Sequence, residues 1–268
     1  MSAGTEFLKA DTQPLFFCQD VSVNIQGKQL LETAHLSFAS SKVTGLIGHN
    51  GSGKSTLLKV LAGQMTASGN VLFQGQELQK VGRRTLARSI AFLPQDPPPT
   101  RGLLVRELVA LGRYPWHGAF GRFSAKDAEK TQEAMELTDI APLADRLVDT
   151  LSGGERQRAW IAMMVAQDAQ CLLLDEPISA LDIAHQIEIL NLLRDLSQTR
   201  GISVILVLHD INMAARYCDH LIALKNGQCT TAGPTADLLT SEKLQDIFGV
   251  PMTVAQHPGG HGVLAYVD

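Results

Sequence analysis

The residues Gly48-His49-Asn50-Gly51-Ser52-Gly53-Lys54-Ser55, with Thr56 behind them, fit the spacing G-x-x-x-x-G-K-[ST]. Glycines let successive backbone N–H groups turn towards one anion, because no Cβ blocks the approach. A helix opening near Lys54 would aim its positive dipole end at the same anion. Lys54 is then the cation that reaches the β- and γ-phosphates of a nucleotide, and the Ser55 hydroxyl is a ligand for Mg²⁺. A glycine-rich turn alone could be only a turn. Here an apolar run precedes it and a leucine-striped segment follows, which is the setting a phosphate cradle needs.

A second group of chemistry-bearing residues stands at Cys171-Leu172-Leu173-Leu174-Asp175-Glu176, an apolar run ending in two acids. A carboxylate at the end of a buried strand can hold Mg²⁺ through water, which makes Asp175 the metal partner of Ser55. Glu176, one residue on, is placed to polarise a water against a γ-phosphate. The third group is Leu151-Ser152-Gly153-Gly154-Glu155-Arg156-Gln157-Arg158. Ser152 reads as an N-cap, and Gly153 and Gly154 leave backbone amides without side-chain cover at another helix start. That is a second anion site in a chain that already has one.

Several elements must position these groups. Leu15–Val23 and Gln29–Phe38 read as an antiparallel pair across Gly27. Lys42–Ile47 is a buried strand before the glycine-rich turn, and Lys54–Gln64 is a helix with Leu57, Leu58 and Leu61 on one stripe. Asn70–Phe73 and Ser89–Leu93 are further strands, and the proline-rich Pro94–Gly102 is a loop. Val105–Arg113 and Ala125–Thr138 are helical in pattern, separated by the glycine- and aromatic-rich Gly112–Phe123. From Gly153 strands and helices alternate: helix to Ala166, strand Cys171–Asp175, helix Ile183–Thr199, strand Ser203–Leu208, helix Ile211–Cys218, strand Leu221–Lys225. Near-continuous apolar strands in such an alternation imply a parallel sheet covered on both faces. The tail Gln228–Asp268 reads as a short hairpin, the helix Ser241–Phe248 and a loose end.

Composition narrows the function classes. The chain has 268 residues, of which 45% are hydrophobic and 19% charged, enough for a sizeable core and too ordinary for disorder. A net charge of −4 gives no broad basic footprint for nucleic acid. No apolar run approaches the roughly 18 residues of a membrane helix, and Met1–Thr12 is too polar for a signal peptide. The four cysteines, Cys18, Cys171, Cys218 and Cys229, lack metal spacing, so they read as reduced thiols in a cytosol. Any membrane role must therefore come through a partner.

The third group selects a family. Leu151–Arg158 (LSGGERQR) resembles the signature of ATP-binding-cassette ATPases, and the order of the motifs along nearly the whole chain resembles theirs too. The fold so implied is α/β: a P-loop NTPase with a mostly parallel sheet flanked by helices, an N-terminal antiparallel β part, and a helical subdomain inserted between the glutamine loop and the signature. The expected boundaries are 13–258 for the ATP-binding domain, with a RecA-like core at 13–94 and 151–240 and the helical subdomain at 95–150; residues 241–268 form a C-terminal helix and tail. By the same resemblance Gln95 is the loop glutamine that approaches Mg²⁺ and the attacking water. Ser179-Ala180-Leu181-Asp182 crosses a dimer interface, and His209 is the switch histidine that contacts the γ-phosphate. Ser152, Gly153 and Gly154 would face ATP held by a second cassette, so the resemblance implies two copies of this chain and two composite sites.

Two positions depart from the family pattern. Ile25 stands roughly where an aromatic usually stacks on adenine, so adenine would rest on Ile25 and neighbouring apolar surface. Pro177-Ile178-Ser179 replaces the usual Pro-Thr-Ser. Val105–Pro115 is similar to the cassettes of iron-siderophore, haem and cobalamin importers. Trp116–Phe123, Arg158–Gln167 and Leu181–Gln186 look most like the ATP-binding subunit of ferric hydroxamate importers of Gram-negative bacteria. That resemblance implies a transmembrane permease partner, with the aromatics Tyr114, Trp116, Phe120 and Phe123 either subdomain core or anchors for a permease helix. It also implies an indirect periplasmic binding-protein partner, no nucleic acid, and a peripheral place on the cytoplasmic face of the inner membrane. A soluble cassette ATPase would carry two cassettes or a long coiled coil, and a phosphate-loop kinase would not need LSGGERQR or His209.

Overall fold

A computed structural model describes residues 14–118, 121–256 and 262–267. β1 (Phe16–Ile25) and β2 (Lys28–Phe38) pair antiparallel around Gln26 and Gly27, both at positive φ. β3 (Val43–Ile47) leads into the glycine-rich turn and α1 (Lys54–Leu61). The leucine stripe predicts α1 as far as Gln64, but the helix ends three residues sooner. Gly63, at φ 67°, turns the chain, and the Gln64 N–H closes back on the Lys59 carbonyl at 2.9 Å. β4 (Ser68–Phe73), β5 (Gln76–Glu77), α2 (Arg83–Ser89) and β6 (Ile90–Leu93) follow. α2 buries no residue, so it has no apolar stripe to reveal it in the sequence.

After the proline-rich loop the chain is helical: α3 (Val105–Leu111), α4 (Tyr114–His117) and α5 (Ala125–Leu137), with short 3-10 turns at Ala141–Leu143 and Val148–Thr150. Then come α6 (Gly153–Ala166), β7 (Cys171–Leu174), α7 (Ile183–Arg200), β8 (Ser203–Val207), α8 (Ile211–Tyr217) and β9 (His220–Lys225). β10 (Gln228–Pro234), α9 (Thr235–Leu238), α10 (Ser241–Phe248), β11 (Met252–Gln256) and β12 (Val263–Val267) complete the order.

Among the described residues ten strands form one sheet in the order β5-β4-β1-β2-β10-β9-β3-β8-β7-β6. From β9 to β6 every neighbouring pair is parallel; β1, β2, β4 and β5 pair antiparallel. β10 joins the halves, antiparallel to β9 and parallel to β2. The parallel strands are mostly apolar, β6 and β7 throughout, because each face feeds a different core. Leu172, Leu174, Val204 and Leu206 pack with α3, α5, α6 and α7, while Leu173, Ile205 and Val207 face α1 and the antiparallel strands. Leu57, Leu58 and Leu61 of α1 are fully buried there, each stabilising the fold by roughly 1.5–3 kcal/mol. Leu57→Ala would leave a cavity beneath the glycine-rich turn at a cost of about 2–5 kcal/mol.

Among the described residues the tail is more than the loose end the sequence suggests. β11 and β12 form a two-stranded antiparallel sheet of their own, with Val254 opposite Ala265. It is tied to α8: the Asn212 side chain donates to the Ala265 carbonyl at 3.0 Å and accepts from the Ala265 N–H at 2.8 Å. The strands are five residues each, too short for their alternation to stand out, and a side chain far away in the sequence closes the contact. Residues 1–13, at the polar N-terminus, lie outside the described residues, as does Phe120.

Candidate nucleotide-binding site

Strand β3 delivers the chain to Gly48 at φ 133°, and Gly51 and Gly53 follow at φ 74° and 101°. At Gly48 a side chain is impossible on two counts, since a Cβ there would also stand 2.1 Å from the Leu224 carbonyl oxygen. The chain thereby curls over the N-terminus of α1. That helix starts at Gly53 without a side-chain cap and without an acid in its first turn. By contrast α5, α6, α7, α8 and α10 all begin with a side chain bonded to a backbone N–H, while the shorter α2, α4 and α9 share the uncapped start without the glycine-rich turn before it. The uncapped N–H groups of α1 are what an anion would satisfy. The Ser52 hydroxyl is buried with no partner of its own, a further polar group fit for a phosphate oxygen.

Lys54 is 5% exposed, and its ammonium donates to the carbonyls of Gly48 and His49, both at 2.8 Å. The loop thus holds its own cation in its centre. Burial pulls the Lys54 pKa down, and the charges of Glu176 and Asp175 work against that fall. Ser55 Oγ donates to Asp175 Oδ1 at 2.9 Å. Burial lifts the Asp175 pKa above the usual carboxylate value; the Ser55 hydrogen bond opposes the rise, and the neighbouring Glu176 charge adds to it. A hydroxyl and a carboxylate in contact form a hard-oxygen pair that fits Mg²⁺, which is commonly bound by one or two protein oxygens plus substrate phosphates. Ser55 would hold the ion, with Asp175 behind it.

Glu176 sits at φ 53°, a strained conformation for a non-glycine residue. The turn carries its carboxylate between two other loops. Gln95 Nε2 donates to Glu176 Oε2 at 3.0 Å, and His209 Nε2 lies 2.7 Å from Glu176 Oε1. Asn50 to Thr56, Gln95, Glu176 and His209 line one open groove of about 790 Å³. The structure therefore brings Gln95, Ser55, Asp175, Glu176 and His209 to one place beside the phosphate cradle. Gly48 and His49 do not line that groove; Gly48 is buried and His49 is exposed. The His49 ring packs edge-on against Phe248 of α10 at 6.0 Å between centroids.

Ser152, Gly153 and Gly154 are not in that groove. Ser152 caps α6: its Oγ accepts from the Glu155 N–H at 3.3 Å, and the Glu155 carboxylate accepts from the Ser152 N–H at 2.8 Å. Ser152 and Gly153 are exposed and Gly154 is buried. Gly153 lines a neighbouring groove with Ser179 and Leu181, and the two grooves share Gln95 and Glu176.

Sequence reasoning passes over several groups that build the site. Lys28, Gln29, Leu30, Asn226 and Gly227 line the same groove. Gly227 donates to the Ser52 carbonyl at 3.0 Å, so the β9–β10 turn props up the phosphate cradle. The pair Asn226-Gly227 is a hairpin signal that could have located this support. Ile25 is 45% exposed at the tip of the β1–β2 hairpin, opposite Lys28. In the helical region Trp116 is built into the fold: its indole N–H donates to the Gln167 carbonyl at 2.8 Å, and Arg88 and Arg113 stack on its ring. Tyr114 and Phe123 are about half exposed.

Known proteins are similar to this chain in sequence and in fold. The family profile described as "ABC transporter" matches residues 31–179, more than half of the chain. The ferric enterobactin transport ATP-binding protein FepC of Escherichia coli is 45% identical over 216 residues, covering 80% of each chain. The iron(3+)-hydroxamate import ATP-binding protein FhuC of Bacillus subtilis is 39% identical over 241 residues, covering 90% of each. Among solved structures, a metal-chelate-type ABC transporter in an inward-facing conformation superposes with a TM-score of 0.83 at 28% identity, covering 96% of this chain and 98% of the other.

Proposed function

The chain belongs to the ATP-binding-cassette transporter ATPases, and on that premise we propose that it powers import of ferric siderophores, with hydroxamate chelates as the cargo. ATP hydrolysis coupled to transport is the activity of the family. The observation that carries its assignment to particular residues is the Glu176 carboxylate, held between Gln95 and His209 at the mouth of an uncapped phosphate cradle. In this reading the N–H groups of Gly51 to Ser55 and the Lys54 ammonium hold the phosphates. Glu176 accepts a proton from the attacking water, and Gln95 and His209 orient that carboxylate and the water. Ser55, with Asp175 behind it, would hold Mg²⁺, which would neutralise charge on the outer phosphates. Catalysis here is positioning and charge stabilisation, with no covalent intermediate on the protein.

The signature start, Ser152 to Gly154, lies outside the groove, so we assign it to ATP held by a second copy of the chain. The pair then docks on a membrane permease at the cytoplasmic face of the inner membrane, fed by a periplasmic binding protein. No helix among the described residues is long and apolar enough to cross a membrane. The exposed Tyr114 and Phe123 suit the permease contact. Cargo rests on the stretches Trp116–Phe123, Arg158–Gln167 and Leu181–Gln186 for the hydroxamate class; the 45% identity with the enterobactin protein favours a catecholate as the second reading. Deleting the gene in its native host and following radioiron uptake separates them. Loss of uptake from a ferrichrome-type hydroxamate alone is the expected result. Loss only from a catecholate would move the cargo, and unchanged uptake of both would overturn siderophore import.

A further inference from the structure

Gly154 lacks a side chain because the imidazole of His185 fills the space one would need. A Cβ built on Gly154 would stand 2.1 Å from His185 Cδ2 and 2.7 Å from its Cγ. The φ angle of Gly154 is not positive, so the backbone itself does not require glycine there. Gly153 faces the same segment, where its Cβ would meet Leu181 Cδ2 at 3.4 Å. Both glycines at the start of α6 thus turn towards residues 181–185, the entry into α7.

The ring is held in place from its other side. His185 Nδ1 donates to Asp182 Oδ1 at 2.8 Å, and the His185 backbone N–H donates to the same oxygen at 3.0 Å. Asp182 is the N-cap of α7. The next residue, Gln186, donates to the carbonyls of Ile178 and Leu181 at 3.2 and 3.0 Å. The dipeptide His185-Gln186 therefore fastens residues 178–182 to α7 and seats the start of α6 upon them. An ordinary capped helix needs none of this, because the Ser152–Glu155 box is complete without it.

We propose that His185 is a positioning residue for ATP hydrolysis. Its imidazole, clamped by Asp182 and seated on Gly154, sets the start of α6 against residues 178–182. Ser152, Gly153 and Ser179 to Asp182 are thereby presented to a second chain's nucleotide as one rigid edge. The proposal rests on the two-chain reading above.

A double-mutant cycle in the full chain tests it, using Gly154→Ala, His185→Ala and the pair together. Three quantities are read: kcat for ATP hydrolysis, affinity of the single chain for a fluorescent ATP analogue, and ATP-driven dimerisation by light scattering. Gly154→Ala must push the ring off its seat, and should lower kcat on the order of tenfold to a hundredfold. Nucleotide affinity should stay within about twofold, since the Lys54 loop is untouched. His185→Ala should itself lower kcat, and full activity in it would overturn the proposal; once the ring is gone the added methyl has room, so the double variant should match His185→Ala alone. An equal loss from Gly154→Ala with and without the ring would overturn the proposal, because Gly154 would then be needed for its own sake. So would a parallel fall of nucleotide affinity and melting temperature in His185→Ala, which would reduce the ring to packing. A wild-type chain that binds ATP without dimerising would sink the two-chain reading itself, and the proposal with it.

Discussion

His209 Nε2 lies 2.7 Å from Oε1 of Glu176, although 33 positions separate them in the sequence. The sheet makes this meeting. β7 and β8 are parallel neighbours in register, Leu174 opposite Leu206, so the loops leaving them emerge side by side. Asp175 and Glu176 continue the first strand and His209 follows the second. Gln95 arrives from β6, the next strand over, and takes the other oxygen of the same carboxylate at 3.0 Å. Three parallel strands thus deliver three side chains to one point at their carboxyl ends, where open α/β sheets hold ligands.

Glu176→Gln should keep ATP binding and abolish turnover, trapping an ATP-bound dimer. The amide keeps the shape of the carboxylate and loses its ability to take a proton, so kcat should fall by about 10²–10⁴. Single-turnover hydrolysis together with light scattering reads both effects. Near-normal hydrolysis would place the base elsewhere. His209→Ala should also slow turnover while leaving affinity for ATP close to wild type, because His209 touches Glu176 and not the Lys54 loop.

Arg113 and Asp127 should dominate the acid sensitivity of the helical region. Both are buried, with Arg113 Nε donating to Asp127 Oδ1 at 2.9 Å and Arg113 Nη1 donating to the Ala166 carbonyl at 2.8 Å. Burial works against ionisation of Asp127, but hydrogen bonds from Ser124 and the Arg113 guanidinium outweigh it, holding the carboxyl at about 2. A depressed folded pKa contributes stability that is complete above about pH 4 and is lost as pH falls towards about 2. Asp127→Asn leaves the Arg113 charge buried without its partner, and should destabilise by about 3 kcal/mol at neutral pH. Urea unfolding of both proteins across the acid range checks this. The gap between them should narrow as pH falls, and a constant gap would show that the ion pair is not its source.

The phosphate cradle and the strand that carries Asp175 and Glu176 are legible in the sequence because their signals are local. A glycine-rich turn between an apolar run and a leucine stripe needs no tertiary information, and buried parallel strands declare themselves as nearly continuous apolar runs. The contacts that organise the site are different. The left-handed turn at Glu176 carries no residue-type signal, since glycine is absent where φ is positive. The support given to Ser52 by Gly227, and the seat that Gly154 offers His185, depend on strand order and helix packing. The β11–β12 pair was hidden for the same reason, as its anchor is Asn212 on α8. Trp116 is a further case. The sequence leaves it either subdomain core or a contact anchor, and only the fold shows its indole spent on the Gln167 carbonyl.

The last prediction concerns whether one ATP is shared by two chains. Lys54 and Ser152 belong to different surfaces of this chain: Lys54 lines the cradle groove, while Ser152 caps α6 outside it. If capping were the whole role of Ser152, Ser152→Ala would cost about 1 kcal/mol of stability and little activity. A role across the interface predicts a loss of turnover and of dimer closure instead. Lys54→Ala alone should weaken or abolish nucleotide binding, since it removes the cation at the centre of the loop. Mixing Lys54→Ala with Ser152→Arg, each inactive by itself, then gives dimers with one doubly defective site and one intact site. Partial recovery of ATPase activity is expected, and it requires a site built from both chains. Strict coupling between the two sites could silence the mixture, so geometry is tested separately. A cysteine replacing Ser152 in one chain should crosslink, with ATP bound, to a cysteine placed in the phosphate loop of the other. Absence of that crosslink in a dimer shown to hold ATP would reject the shared site.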